Sequence, residues 1–208
     1  MWYIVMSRIP RHIAVIPDGN RRYSRRHLFT GYKHSGESLQ RLLTWSLSKG
    51  VQELSIFAWS SENWSRPVGE ITEAMGQFEK ALDQWLDKKQ SKIGYYFIST
   101  SPHKLKPTIR NKMHQLTTQT DNNRTLKVYI YVSYGFSEET LCTTIPTFMT
   151  EPELLIRTSG EQRLSNFCMW HLRYTELMFI KPLFPECNEE VWDSCLEEYS
   201  TRKRRFGK

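Results

Sequence analysis

The sequence predicts an α/β fold, a single domain over residues 1–208 with a mainly parallel central sheet of about six strands covered by helices. Three observations carry this. Short apolar runs rich in β-branched residues recur along the chain, mostly unbroken, as in strands covered on both faces. Stretches with helical spacing of apolar residues lie between most of them, and no internal repeat or low-complexity block interrupts the alternation.

Taken in order, residues 13–17 form the first strand, ending abruptly at Asp18-Gly19. Leu39, Leu42, Leu43 and Leu47 recur at helical spacing, and Gly50 supplies a stop before the second strand at 54–58. Pro67 opens a long amphipathic helix over about 70–89, with Ile71, Met75, Phe78, Leu82, Trp85 and Leu86 on one face. Strand 94–99 follows, then a weaker helix over 105–118 and strand 126–132. Strands 154–156 and 177–180 and a terminal helix over 189–204 complete the set. Residues 1–6 read as a short strand or frayed end covering the core, and the basic run after Thr201 as a solvated helix end.

At 208 residues, 39% hydrophobic and 13% aromatic, the chain fills one core and is too short for two comfortable domains. A net charge of +7 favours anionic partners: nucleic acid, a membrane surface or a phosphorylated substrate. Cys142, Cys168, Cys187 and Cys195 have no CxxC spacing, which favours reduced thiols over a disulfide framework or zinc. No run approaches the roughly 20 apolar residues of a membrane span. The expectation is a cytoplasmic protein, with peripheral membrane contact left open.

Chemistry concentrates in three polar segments, each at the carboxyl end of an expected strand. The first is Asp18-Gly-Asn-Arg-Arg-Tyr23, the second Ser60-Ser-Glu-Asn-Trp-Ser-Arg66, and the third Arg157-Thr-Ser-Gly-Glu-Gln-Arg-Leu-Ser-Asn166. Arginine forks, free backbone N–H groups and a carboxylate able to hold a metal together describe a site for phosphate or diphosphate. Alone, Asp18 reads as a turn residue, the second segment as a capping cluster, and the apolar helix face as plain core.

Together the three segments resemble the signatures of the cis-prenyltransferase family, the undecaprenyl and dehydrodolichyl diphosphate synthases, and the match continues to Trp170 and Glu176. The resemblance implies the cis-prenyltransferase fold rather than a Rossmann arrangement. It also implies an enzyme that condenses isopentenyl diphosphate with an allylic diphosphate, such as farnesyl or geranyl diphosphate, to give a cis-polyprenyl diphosphate and pyrophosphate. Magnesium is the implied cofactor, with Asp18 and Glu176 as its acids. Asp18 engages both metal and diphosphates, and Gly19, Asn20, Arg21 and Arg22 form the loop gripping the allylic diphosphate. Tyr23 stands where bacterial members carry tryptophan, and His34 matches a histidine near the same diphosphate.

Ser60, Ser61, Glu62, Trp64 and Arg66 match the substrate-binding second motif. Asn63 matches an asparagine implicated in proton removal. A neutral amide is a poor base, so Asn63 is read as orienting substrate or relaying a proton to pyrophosphate. Arg157, Arg163, Leu164 and Ser165 match the isopentenyl diphosphate site, suited to bidentate donors. Arg205 and Gly207 match a tail that crosses a dimer interface to complete that pocket, which implies a homodimer or a heterodimer with a related chain. The growing hydrocarbon is expected between sheet and helices, with Met75, Phe78, Leu82 and Trp85 as candidate walls and Trp59 or Trp85 limiting its length.

The chain departs from the family pattern in three places. The segment 25–33 is shorter than usual, with Thr30 where an arginine is common and Lys33 as a candidate substitute. Gln162 replaces a histidine that some bacterial members place at the metal. Only residues 137–151 separate Phe136 from the last motif, so one wall of the fold is trimmed. A non-catalytic subunit of a heteromeric synthase is the alternative, disfavoured because the Asp18-Gly-Asn segment is intact. A nucleic-acid module would rest on Arg21, Arg22, Arg25, Arg26 and Tyr23, but Asp18, Glu62 and Glu161 oppose a phosphate-backbone groove, and no nucleic-acid partner is expected.

Overall fold

The structure, a computed structural model, describes residues 8–27, 32–87, 92–123, 125–139 and 149–207. The expectation for residues 1–6, that for Thr30, and parts of the shortened segments 25–33 and 137–151 lie outside them. Six strands form one sheet: β1 (His12–Ile16), β2 (Glu53–Ser60), β3 (Ile93–Ile98), β4 (Leu126–Tyr134), β5 (Leu154–Arg157) and β6 (Glu176–Phe179), in the order β3-β4-β2-β1-β5-β6. Every pairing is parallel. All carboxyl ends therefore face the same way, and the chain's order reverses at β1, where a crevice opens between neighbouring connections.

Helices α1 (Asn20–Arg26), α2 (Lys33–Lys49), α3 (Val68–Asp87), α4 (Pro107–Thr120) and α5 (Phe136–Glu139) lie between the strands, and α6 (Glu189–Thr201) follows the last of them. Gly50 ends α2 in the left-handed region at φ 76°, its N–H bonded to the carbonyls of Ser46 and Leu47. Asn188 caps α6 by accepting from Val191 N–H at 3.1 Å. That helix stops at Thr201, short of the expected 204, and the basic run beyond it is tied down. Arg204 lies 2.7 Å from Glu153 and Arg202 3.3 Å from Glu176, so the reading of a solvated helix end is corrected.

Alternate residues of each strand enter two cores. On one face Ile13, Val15, Leu54, Ile56, Val128 and Ile130 meet Leu42 and Leu43 of α2, Met75 and Leu82 of α3, Ile109 of α4 and Trp192 of α6. On the other face Ala14, Ile16, Phe57, Tyr129, Tyr131 and Leu155 meet Phe167, Cys168 and Leu172. Among the described residues, the four long helices thus cover one face only, and the third polar segment, running on into Phe167 and Leu172, covers the other. The continuous apolar runs signalled two buried faces correctly; they carry no information on what buries them.

The second core includes a polar cluster at the amino end of the sheet. His12 is wholly buried, its Nδ1 2.7 Å from the Thr150 carbonyl and its Nε2 2.9 Å from Ser55 Oγ, while Glu53 accepts from Thr150 N–H at 3.0 Å. A carbonyl only accepts, so Nδ1 carries the proton and Nε2 accepts from Ser55. Burial lowers the His12 pKa to about 4, against the opposing pull of Glu53.

Candidate active site

The three polar segments converge. β1 ends at Ile16, and Pro17-Asp18-Gly19 turns into α1. Gly19 has φ 103°, and a Cβ there would stand 2.8 Å from Leu183 Cδ2, so glycine alone permits both the turn and the packing. Asn20, Arg21 and Arg22, expected with Gly19 as a loop, open helix α1, which buries no side chain. The second segment leaves β2 as a single turn of 3₁₀ helix, Ser61–Ser65. Ser60 Oγ accepts from Glu62 N–H at 3.1 Å, and Asn63 Oδ1 accepts from Ser60 N–H at 3.2 Å. The carbonyl oxygen of Asn63 is thereby occupied, leaving its NH₂ for a ligand, which suits orientation rather than proton abstraction.

The third segment is held in strained backbone. Ser159, Ser165, Asn166 and Cys168 all have positive φ, four of the six such non-glycine residues described. Gly135, at the end of β4, lets this segment meet the second: a Cβ there would lie 2.5 Å from Ser61 Oγ and 2.9 Å from Asn166 Nδ2. Arg157 ends β5 with its side chain only 4% exposed. Its Nη2 donates to Asp18 Oδ2 at 2.9 Å, and its Nη1 to Ser165 Oγ at 2.8 Å and to the Arg163 carbonyl.

Asp18 is the electrostatic centre of the site. Burial works to raise its carboxyl pKa, but the hydrogen bond and charge of Arg157, the Gly19 N–H at 2.6 Å and Arg22 at 3.8 Å prevail and hold it below the usual carboxylate range. Arg22 also donates to Ser159 Oγ at 2.6 Å and lies 3.5 Å from Glu161. Arg163 pairs with the same glutamate.

Around this centre is a polar crevice of about 440 Å³ lined by Asp18, Gly19, Asn20, Arg21, Arg22, Ser60, Glu62, Asn63, Arg66, Arg157, Arg163 and Ser165. Three of its lining residues carry buried polar atoms with no protein partner, Asn20 Oδ1, Trp59 Nε1 and Arg157 Nε. Buried polar groups are rarely left unpaired, so such atoms fit a polar ligand. For a metal, Asp18 supplies a partly open carboxylate and Asn20 an unused acceptor. Magnesium takes one or two carboxylates and completes its shell with phosphate oxygens and water, so this donor set fits it.

An apolar cavity of about 110 Å³ adjoins the crevice, between β2 and helices α2 and α3. Pro17, Asn20, Tyr32, Ala58 and Trp59 line both spaces. Met75 and Phe78 line the cavity as expected. Leu82 and Trp85 do not, being sealed in the core, where Trp85 stacks on Tyr95 at 4.9 Å. Trp85 is therefore excluded as a limit on the cavity, and Trp59 remains.

Several expected site residues are not brought to the crevice. Tyr23 packs against His27 and His34, and His34 pairs with Glu37 at 3.4 Å. Ser61 and Trp64 support the second segment from beneath, Trp64 donating to Ser133 Oγ at 2.9 Å, and Leu164 packs on the second core. Glu176 begins β6, at the amino end of the sheet, whereas Asp18 lies beyond the carboxyl end of β1. There Glu176 pairs with Arg202, and Arg205 with Phe206 lines a separate cavity beside it. Within one chain, neither Glu176 nor the tail of Arg205 and Gly207 joins Asp18. Conversely, Arg25, Tyr32 and Trp59 line the crevice without having been assigned a substrate contact there.

The chain matches the prenyltransferase family described as "Putative undecaprenyl diphosphate synthase" over residues 16–145 and 137–207. It is 33% identical to a ditrans,polycis-undecaprenyl-diphosphate synthase, (2E,6E)-farnesyl-diphosphate specific, of Xanthomonas axonopodis pv. citri, across 98% of this chain and 91% of that one. Its counterpart in Legionella pneumophila is 34% identical across 96% of each. Among solved structures, lavandulyl diphosphate synthase from Lavandula x intermedia, in complex with dimethylallyl diphosphate, superposes with a TM-score of 0.86 at 25% identity, over 96% of this chain and 98% of that one. A probable undecaprenyl diphosphate synthase from Campylobacter jejuni gives 0.79 at 25% identity, over 97% and 100%.

Proposed function

The chain belongs to the cis-prenyltransferase family, and on that premise we propose that it elongates prenyl chains, condensing isopentenyl diphosphate with an allylic diphosphate and releasing pyrophosphate. The observation that carries this reading is the union of two spaces: an arginine-rich crevice centred on Asp18, and an apolar cavity sharing five walls with it. That pairing suits a molecule with a diphosphate head and a hydrocarbon tail.

In this reading Asn20, Arg21 and Arg22 hold the allylic diphosphate, and Arg157, Arg163 and Ser165 hold that of isopentenyl diphosphate. As the allylic carbon–oxygen bond breaks, charge gathers on the departing pyrophosphate, and arginine forks fixed in place stabilise that state more than the one before it. The double bond of isopentenyl diphosphate attacks the allylic carbon, and loss of a proton restores neutrality. Asn63 orients the attacking substrate through its NH₂, and pyrophosphate accepts the proton. Magnesium held by Asp18 together with substrate phosphate oxygens would add positive charge to the leaving group.

We place Glu176, Arg205 and Gly207 at a contact between two copies. The edge strand β6 and its neighbours expose Met169, Trp170, Tyr174, Leu177 and Phe206, an apolar surface suited to pairing. Among the described residues, no helix is long and apolar enough to cross a membrane. The test is incubation of purified protein with Mg²⁺, radiolabelled isopentenyl diphosphate and allylic primers, followed by sizing of the products. Primer-dependent incorporation is expected, and its absence with every primer would overturn the reading.

A further inference from the structure

Tyr32 stands where three spaces meet: the polar crevice, the apolar cavity and a third hollow of about 190 Å³ beside Arg21, Arg25 and Glu70. Its hydroxyl donates to Glu70 Oε1 at 2.6 Å and accepts from Arg66 Nη1 at 2.8 Å. The same carboxylate oxygen takes Arg66 Nη1 at 3.1 Å and lies 3.3 Å from Arg21 Nε. Arg66 in turn sits 5.1 Å above Trp59, whose ring meets Tyr32 edge-on at 6.4 Å. One glutamate thus anchors an aromatic side chain at the threshold between head and tail sites and holds two crevice arginines as it does so.

The space beyond the threshold is small. Set against an engineered cavity of about 150 Å³ that takes a single benzene, 110 Å³ falls well short of a full prenyl tail. A tail longer than this space must displace part of its lining, and Tyr32 and Trp59 are the aromatic side chains at its mouth. Trp59 is 4% exposed and sealed in the core, whereas Tyr32 packs only at the edge of that core and its hydroxyl is held by polar contacts that a ligand can exchange.

We propose that Tyr32, latched by Glu70 and Arg66, selects the allylic substrate by length, admitting shorter chains more readily than longer ones, which need the latch open. The inference rests on the proposed condensation. It adds a specificity-determining residue to that reading. Burial and the bond to Glu70 push the Tyr32 pKa up to about 12, so the hydroxyl stays protonated and the latch stays intact at ordinary pH.

The experiment is calorimetric titration of the wild type, Tyr32→Phe and Glu70→Gln with the unreactive geranyl and farnesyl thiodiphosphates, and with inorganic pyrophosphate. Tyr32→Phe keeps the ring and removes the latch. It should tighten farnesyl binding about tenfold, the equivalent of one hydrogen bond that need not be broken, and leave geranyl binding within about twofold. Glu70→Gln should tighten pyrophosphate binding as well, since it frees both arginines, and Tyr32→Phe should not. Equal change, or none, for the two chain lengths in Tyr32→Phe would overturn the proposal while leaving the condensation standing. Failure of the wild type to bind any of the three ligands would overturn both together.

Discussion

Replacing Asp18 by asparagine tests the centre of the site, because it removes a charge while keeping the side chain's shape. Arg157 is 4% exposed and would lose the one carboxylate it pairs with among the described residues, though it keeps Nη1 bonds to Ser165 and to the Arg163 carbonyl. Breaking a fully buried pair costs about 3–5 kcal/mol. Asp18 is itself 31% exposed, so water screens the charge left behind, and the expected cost is lower, about 2 kcal/mol. Urea unfolding at pH 7 should show this loss, with a folded protein remaining. Turnover should fall much further, about 10²–10³-fold, the usual range for removing one preorganised electrostatic contact. Incorporation of labelled isopentenyl diphosphate, measured well below the unfolding midpoint, separates the two effects. A folded Asp18→Asn protein turning over near the wild-type rate would refute the catalytic argument, and unchanged stability would refute the account of the Arg157 pair.

Two further predictions concern the opposite end of the sheet. His12 has a folded pKa of about 4 against 6.5 unfolded, so between those values the unfolded chain binds the proton and the folded one does not. Stability from this group is complete above pH 6.5 and falls by roughly 3 kcal/mol as pH drops to 4. His12→Gln should flatten that slope in urea titrations, and an unchanged slope would refute the assignment. Among the described residues, deleting 206–208 removes Gly207 and a half-exposed Phe206 resting on Tyr174 and Arg204, so Tm should fall by less than about 4 °C. If the tail completes the site across a dimer, condensation should drop much more than stability does, whereas full-rate elongation by the truncated protein would refute that role.

The strands and long helices were legible because burial imposes periodicity on the residues themselves. Leu42, Leu43 and Gly50 marked α2, and Met75 and Phe78 marked the inner face of α3. Helix α1 was not legible, since it buries nothing and owes its start to Gly19 resting on Leu183, a contact 164 positions away in sequence. Strand polarity explains why Glu176 stands apart from Asp18 within one chain. Glu176 precedes the strand expected at 177–180 and Arg157 follows that at 154–156, and the parallel register puts the two at opposite ends of the sheet. Tyr32 and Glu70 escaped notice for a different reason. A glutamate in a helix's first turn and a tyrosine just before another helix have ordinary local explanations, and their meeting depends on how α2 and α3 pack.

That meeting belongs to a wider pattern. Glu70 holds Arg21 and Arg66, Asp18 holds Arg157 and Arg22, and Glu161 holds Arg22 and Arg163. Three carboxylates thus engage five of the six arginines lining the crevice. Without them, guanidinium groups this close would repel one another and spread apart, and a ligand would have to reassemble them. With them, the forks are already converged, and a diphosphate exchanges one set of charge-assisted hydrogen bonds for another. The exchange lowers net affinity, since each carboxylate must be displaced, but it saves the ordering of long side chains and leaves the site open to product release. Basic charge, which the composition alone could have assigned to nucleic acid or a membrane, is here divided into small preassembled units, each suited in size to one diphosphate head. The +7 of the chain is consequently a poor guide to its ligand, and the positions of its carboxylates a good one.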